Sequence, residues 1–179
     1  MHKKTFEELF APQIKPLFKV AYQWTLNSQD AEDLVQELAL RVVDRVDEMN
    51  AIEKLRPWLV KIMYRLFVDE IRKKNARPLA YEHLVDEEVM KNLFVDSGSD
   101  PEAIVAIDQL GRELIANLKQ LEHEQAVTLF LFEVEGYSLK EIADIQSVSE
   151  GTVKSRLHRG RKIMKKQLDT GTLLSLDPC

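Results

Sequence analysis

Between Thr152 and Leu168 the chain carries seven lysines and arginines, at positions 154, 156, 159, 161, 162, 165 and 166, and no acid. Cations gathered on one segment can hold phosphates and reach guanine edges, the chemistry of a nucleic-acid contact. Thr152, Lys154, Ser155, Arg156, His158, Arg159, Arg161 and Lys162 are the candidate groups there. A second set has the opposite sign: Asp30, Asp33 and Glu37 recur at i, i+3 and i+7, which puts three carboxylates on one helix stripe. Such a stripe suits either a metal or a basic protein partner. No phosphate-binding loop or candidate nucleophile accompanies it, which favours the docking face over catalysis. In a third set, Lys54, Arg56, Lys61, Arg65, Arg72, Lys73, Lys74 and Arg77 outnumber Asp69 and Glu70, with Trp58 and Tyr64 interleaved. Basic residues beside aromatics suit single-stranded or distorted nucleic acid, whose bases stack on rings. A place in the core is the competing reading for Trp58.

Helices must place these groups. Ser138 followed by Glu141 makes a capping box for one helix, and Ser149 stands ready to cap a second that begins around Glu150 to Thr152. Gln146-Ser147-Val148 lies between them, just long enough for a turn. In the second helix Val153, Leu157 and Met164 share one face, and the cations spread over the rest. The stretch from Tyr137 to Met164 therefore reads as a helix-turn-helix whose second helix suits a major groove. A merely solvated helix is the alternative, but soluble surfaces usually interleave both signs and this one does not.

The 179 residues include 45% hydrophobic side chains, enough to bury a core in one or two domains. A net charge of -5 excludes a generally basic coat for nucleic acid, so binding must come from local patches. The lone Cys179 allows no intramolecular disulfide and points to a reducing compartment. His2, His83, His123 and His158 have no zinc-site spacing, and neither a metal nor another cofactor is expected. No apolar run approaches the roughly 20 residues that span a bilayer, and no signal-like apolar stretch follows Met1 to Lys4. A cytoplasmic location without membrane insertion is the expectation.

The fold expected is all-α, two small helical domains joined by a flexible acidic linker, the second ending in the helix-turn-helix. Apolar residues from Phe6 to Tyr22 have helical spacing interrupted by Pro12 and Pro16, which predicts a short first helix and then a core helix. An acidic helix is predicted over Gln29 to Met49, with Ala31, Leu34, Val35, Leu38, Val42 and Val46 inward. A basic amphipathic helix should follow from Pro57, burying Leu59, Ile62, Met63, Leu66, Phe67 and Ile71. These residues make a first domain, 1–77. Eight acids from Glu82 to Asp108 against Lys91 alone, with the breaker cluster Ser97 to Pro101, mark 78–100 as the linker, with one transient helix at Glu87 to Phe94. A second domain, 101–168, would carry one apolar stripe from Ile104 to Leu118 and another through Ala126, Leu129, Phe130, Phe132 and Val134; 169–179 reads as a frayed tail.

Two separated stretches, in this order, resemble the extracytoplasmic-function (ECF) group of bacterial sigma factors. DAEDLVQELALRVV (30–43) with WLVKIMYRLFVDEIRKK (58–74) looks like their region 2, and EIADIQSVSEGTVKSRLHRGRKIM (141–164) looks like the helix-turn-helix of their region 4. The resemblance implies a dissociable, non-catalytic subunit of RNA polymerase that selects promoters and helps to melt them. On matched positions it implies that Asp30, Asp33, Gln36 and Glu37 dock on a basic coiled coil of the polymerase core. Asn50, Lys54, Trp58, Lys61, Tyr64, Arg65, Asp69, Arg72 and Lys73 would then engage the minus-ten promoter element and its melted non-template strand, with one base flipped out. The residues from Thr152 to Lys162 named above would read the minus-thirty-five duplex. An anti-sigma factor is the regulatory partner the family implies. The rival reading is a two-domain helix-turn-helix regulator acting on complete holoenzyme. Two departures stand out. Tyr64-Arg65 replaces a frequent Arg-Asn, which implies an unusual minus-ten preference. The turn has Gln146-Ser147 where Leu-Gly is usual, so it either avoids positive φ or carries strain of order 1 kcal/mol.

Overall fold

The structure, a computed structural model, describes residues 3–75 and 121–170. The expected acidic linker, its transient helix, the stripe from Ile104 to Leu118 and the tail beyond Thr170 lie outside these residues. All regular structure among the described residues is helical, and the chain divides into two compact units.

The amino-terminal unit begins with α1, Phe6–Thr25. A capping box starts it: the Glu8 N–H donates to the Thr5 hydroxyl, and the Thr5 N–H donates to the Glu8 carboxylate at 2.8 Å. The expected break at the prolines does not occur, and one helix runs through Pro12 and Pro16. Pro12 and Glu8 are both exposed, so the Glu8 carbonyl that loses its intrahelical donor can turn to water. The continuous apolar face of Phe10, Leu17, Val20, Ala21 and Trp24 outweighs the missing hydrogen bonds. Leu26, at φ 53, ends the helix in the left-handed region, with its N–H donating to the Tyr22 carbonyl.

Asn27 caps α2, Ser28–Val42, by accepting from the Asp30 N–H. The long acidic helix is broken, because a tight turn at Val43–Arg45 separates α2 from α3, Val46–Ala51. Val42, Val43 and Val46 are β-branched and favour a helix only weakly. Ala31, Leu34, Val35, Leu38 and Val42 are buried as expected, whereas Val46 is only half-buried. Helix α4, Leu55–Asn75, starts two residues before Pro57 and packs on both α1 and α2. Two neighbours widen its buried band: Val60 and Tyr64 join Leu59, Ile62, Met63 and Phe67 in the core.

In the carboxy-terminal unit, α5 (His123–Leu129) runs into a wider π-helical turn, Phe130–Val134. The predicted stripe is only partly the buried one: Leu129 is in the core, but Ala126 and Phe130 are half-buried. Val127, Thr128, Leu129 and Leu131 are buried; Phe132 is half-exposed and Val134 is out. Then come α6, Leu139–Gln146, and α7, Glu150–Thr170, which extends two residues into the expected tail. Helix α7 packs across α5, with Val153, Leu157 and Gly160 inward.

Candidate nucleic-acid interface

Both caps of the helix-turn-helix form as the sequence predicts. The Ser138 N–H donates to Glu141 Oε2 at 3.0 Å and the Glu141 N–H to the Ser138 hydroxyl at 3.2 Å. The Thr152 N–H donates to the Ser149 hydroxyl at 3.1 Å, which fixes the start of α7. The turn between the helices closes as a Schellman motif: the Val148 N–H reaches the Ala143 carbonyl at 3.0 Å and the Ser147 N–H the Asp144 carbonyl at 3.2 Å. Ser147 sits at φ 55, so the turn takes the strained alternative and not the one that avoids positive φ.

Opposite the inner stripe of α7, Ser155, His158, Arg159 and Lys162 share an exposed face. Arg159 donates to the Ser155 hydroxyl at 2.8 Å, so its guanidinium lies back along the helix toward its amino-terminal end. Thr152 is half-buried, and its hydroxyl hydrogen-bonds that of Ser149 at 3.0 Å. Lys154 and Arg161 lie on one flank, where with Phe132, Leu139, Leu157 and His158 they line a cleft of about 220 Å³. Arg156, half-buried, is on the other flank. Arg161 departs from the expected set, because its Nε and Nη2 both donate to Glu133 Oε1, at 2.8 and 2.6 Å. The guanidinium also lies 5.3 Å from the Phe132 ring centroid.

In the amino-terminal unit, Asp33, Gln36 and Glu37 are exposed on the outer face of α2, and Asp30 is half-buried at its capped start. Asp33 accepts from Gln29 Nε2 at 3.2 Å. Sequence reasoning missed two apolar members of this face. Leu40 is 72% exposed and Val43 41%, the former one turn beyond Gln36 and Glu37. The signal was a leucine outside the inward stripe of an otherwise polar surface. Among the described residues no three His, Cys, Asp or Glu side chains come together in a way that could hold a metal ion.

The third set is split. Arg65, Asp69, Arg72 and Lys73 are exposed along α4, with Arg72 3.9 Å from Asp69; Lys54 is exposed before the helix and Lys61 half-buried within it. Tyr64 is not available for stacking. It is 7% exposed, and its ring lies edge-on to Trp24 with centroids 6.0 Å apart, because α4 buries two flanks. Trp58 is half-buried with Arg45 4.5 Å above its ring, so that face is occupied by a cation. Asn50 serves the fold: its amide donates to the Lys4 and Val46 carbonyls, both at 2.9 Å, and its oxygen accepts from the Lys4 N–H at 3.0 Å.

The family model for sigma-70 region 2 matches residues 9–77, and that for sigma-70 region 4 matches residues 112–164. The ECF RNA polymerase sigma factor SigW of Bacillus subtilis is 30% identical over 159 residues, which are 85% of this chain and 82% of that protein. The chain belongs to the ECF sigma factors. The family's region 2 thus contains the acidic face of α2 and the cations of α4, and its region 4 contains the π-helical turn and the helix-turn-helix. A second ECF sigma factor, SigE of Mycolicibacterium smegmatis, is 31% identical over 169 residues, covering 92% of this chain and 62% of that protein. Among solved structures, the fold is similar to sigma factor RpoE of Bartonella quintana, crystallised with the anti-sigma factor NepR (TM-score 0.66, 21% identity, 93% of this chain and 98% of that one). It is also similar to CnrH in complex with the cytosolic domain of CnrY (TM-score 0.61, 19% identity, 93% and 89%). Sigma factors are non-catalytic initiation factors that join core polymerase and promoter DNA. No helix among the described residues is long and apolar enough to cross a membrane.

Proposed function

We propose that this ECF sigma factor divides its work among three surfaces. The outer face of α2, with Asp33, Gln36 and Glu37 around Leu40, docks on a basic surface of core polymerase, and Asp30 adds charge at its rim. The exposed cations of α4 and of the loop before it, Lys54, Arg65, Arg72 and Lys73, hold the backbone of the melted minus-ten strand. The outer face of α7, led by Arg159, reads the minus-thirty-five duplex.

The observation that carries this reading is the segregation of sign. Within one small unit acids predominate on α2 and cations on α4, so a basic protein surface and a polyanion can be engaged separately. The chain itself performs no catalysis and acts in the cytoplasm. RpoE of Bartonella quintana was crystallised with an anti-sigma factor, and we extend that to this chain: an anti-sigma factor holds it inactive by covering these surfaces.

The test is reconstitution. The chain should co-purify with core polymerase and start transcription from its own promoters in a purified system, at start sites that share two upstream motifs. Activity only on an already complete holoenzyme would return it to the two-domain regulator.

A further inference from the structure

Arg161 is an expected reader of α7 whose charge is already spent on another element. Nε and Nη2 converge on a single carboxylate oxygen of Glu133, 28 residues earlier, and the guanidinium carbon lies over the neighbouring Phe132 ring, 5.3 Å from its centroid. Both partners belong to the π-helical turn Phe130–Val134, and it is this wider turn that brings adjacent residues 132 and 133 to the same side chain. Arg161 is also on the flank of α7, away from the face that presents Ser155, Arg159 and Lys162. The ion pair is about half exposed and stabilises little by itself. What it does well is geometric: two hydrogen bonds to one carboxylate oxygen and a cation–π contact hold the guanidinium from two directions.

We infer that Glu133, Phe132 and Arg161 form a clamp that sets the tilt of the reading helix, and that Arg161 is a positioning residue, not a DNA contact. This rests on the proposed role of α7 in reading the minus-thirty-five element. The experiment uses the full chain assembled with core polymerase. It measures binding to a promoter taken from its mapped start sites and to the same promoter with the upstream element scrambled, across a salt series. If the wild type does not discriminate between the two, the proposed function of α7 fails. If it does, Glu133→Ala and Arg161→Lys should each reduce discrimination roughly 10-fold, as for one misplaced base contact, and the double variant should lose no more than either. Binding to the scrambled promoter and the salt slope should stay at the wild-type values.

A phosphate contact predicts the reverse. Arg161→Lys would then be near wild type, Arg161→Ala would lower the salt slope by about one, and Glu133→Ala would tighten binding by freeing the cation. Any of these results, or an equal fall on both promoters, overturns the clamp.

Discussion

A methyl group placed on Gly160 would lie 2.7 Å from Leu129 Cδ1 and 3.1 Å from its Cγ, so the crossing of α7 over α5 is set by the missing side chain. Gly160→Ala gains up to about 1 kcal/mol in helix propensity but overpacks by about 1–3 kcal/mol. A net loss of about 1 kcal/mol is expected in urea titrations followed by circular dichroism. Leu129→Ala opens the space that the methyl needs, so the double variant should be more stable than the sum of the two single losses. Strict additivity would show that the two sites do not meet.

Ser147 holds a position that glycine occupies without strain. Ser147→Gly should therefore raise stability by about 0.5–1 kcal/mol, the relief of the left-handed backbone less the extra freedom of the unfolded chain. Promoter selection should be unchanged, because Ser147 belongs to the turn and not to the outer face of α7. A fall in melting temperature would contradict the strain.

Ser155 and Arg159 form a hydrogen-bonded pair on the outer face of α7. Arg159→Ala should weaken promoter-dependent initiation by about 1–3 kcal/mol of binding while leaving affinity for core polymerase intact. Ser155→Ala releases the guanidinium from its hydroxyl partner and should cost less. Equal loss of core binding and promoter binding in Arg159→Ala would remove α7 from the reading role.

Leu40 touches so little of its own unit that Leu40→Ala should change stability by less than about 0.5 kcal/mol. Its affinity for core polymerase should nevertheless fall, and so should that of the charge reversal of Asp33 and Glu37 to Lys. Normal affinity in both would show that the face is only solvated. Loss in the reversal alone would assign docking to charge and not to Leu40.

The capping box gives α1 an acid-sensitive start. The Thr5 backbone N–H, and then its hydroxyl, hold the Glu8 carboxyl below the usual glutamate range. A depressed folded value means that this contribution is fully present above the unfolded value, about 4.3, and is lost as pH falls through the folded one. Glu8→Gln should thus lower stability at neutral pH and flatten the acid side of the stability curve. A parallel shift at every pH would contradict the linkage. The exposed Asp47, lowered chiefly by the hydrogen bond from Lys3, has the same sign.

Much of the helix-turn-helix was legible because its determinants are local. Ser138, Glu141 and Ser149 meet backbone groups three residues away, so spacing alone locates both helix starts. The same signal stood unread at Thr5 and Glu8. Less could be read where packing overrides propensity: Pro12 and Pro16 look like breakers, yet α1 runs through them because its buried face is continuous. The π-helical turn changed the buried register after Leu129, and no composition rule announces an extra residue in a turn.

By itself, then, the sequence determined that the chain is helical, where its sign of charge changes, and which segment holds the helix-turn-helix, because periodicity, capping and charge are properties of neighbours along the chain. Only the tertiary structure decided which side chains remain available for partners. Tyr64 was withdrawn by packing on Trp24, Asn50 by the backbone of Lys4 and Arg161 by Glu133, while Leu40 was left outside. Those outcomes depend on contacts between residues 28 to 46 positions apart, and a side chain's exposure is fixed by what the fold brings against it.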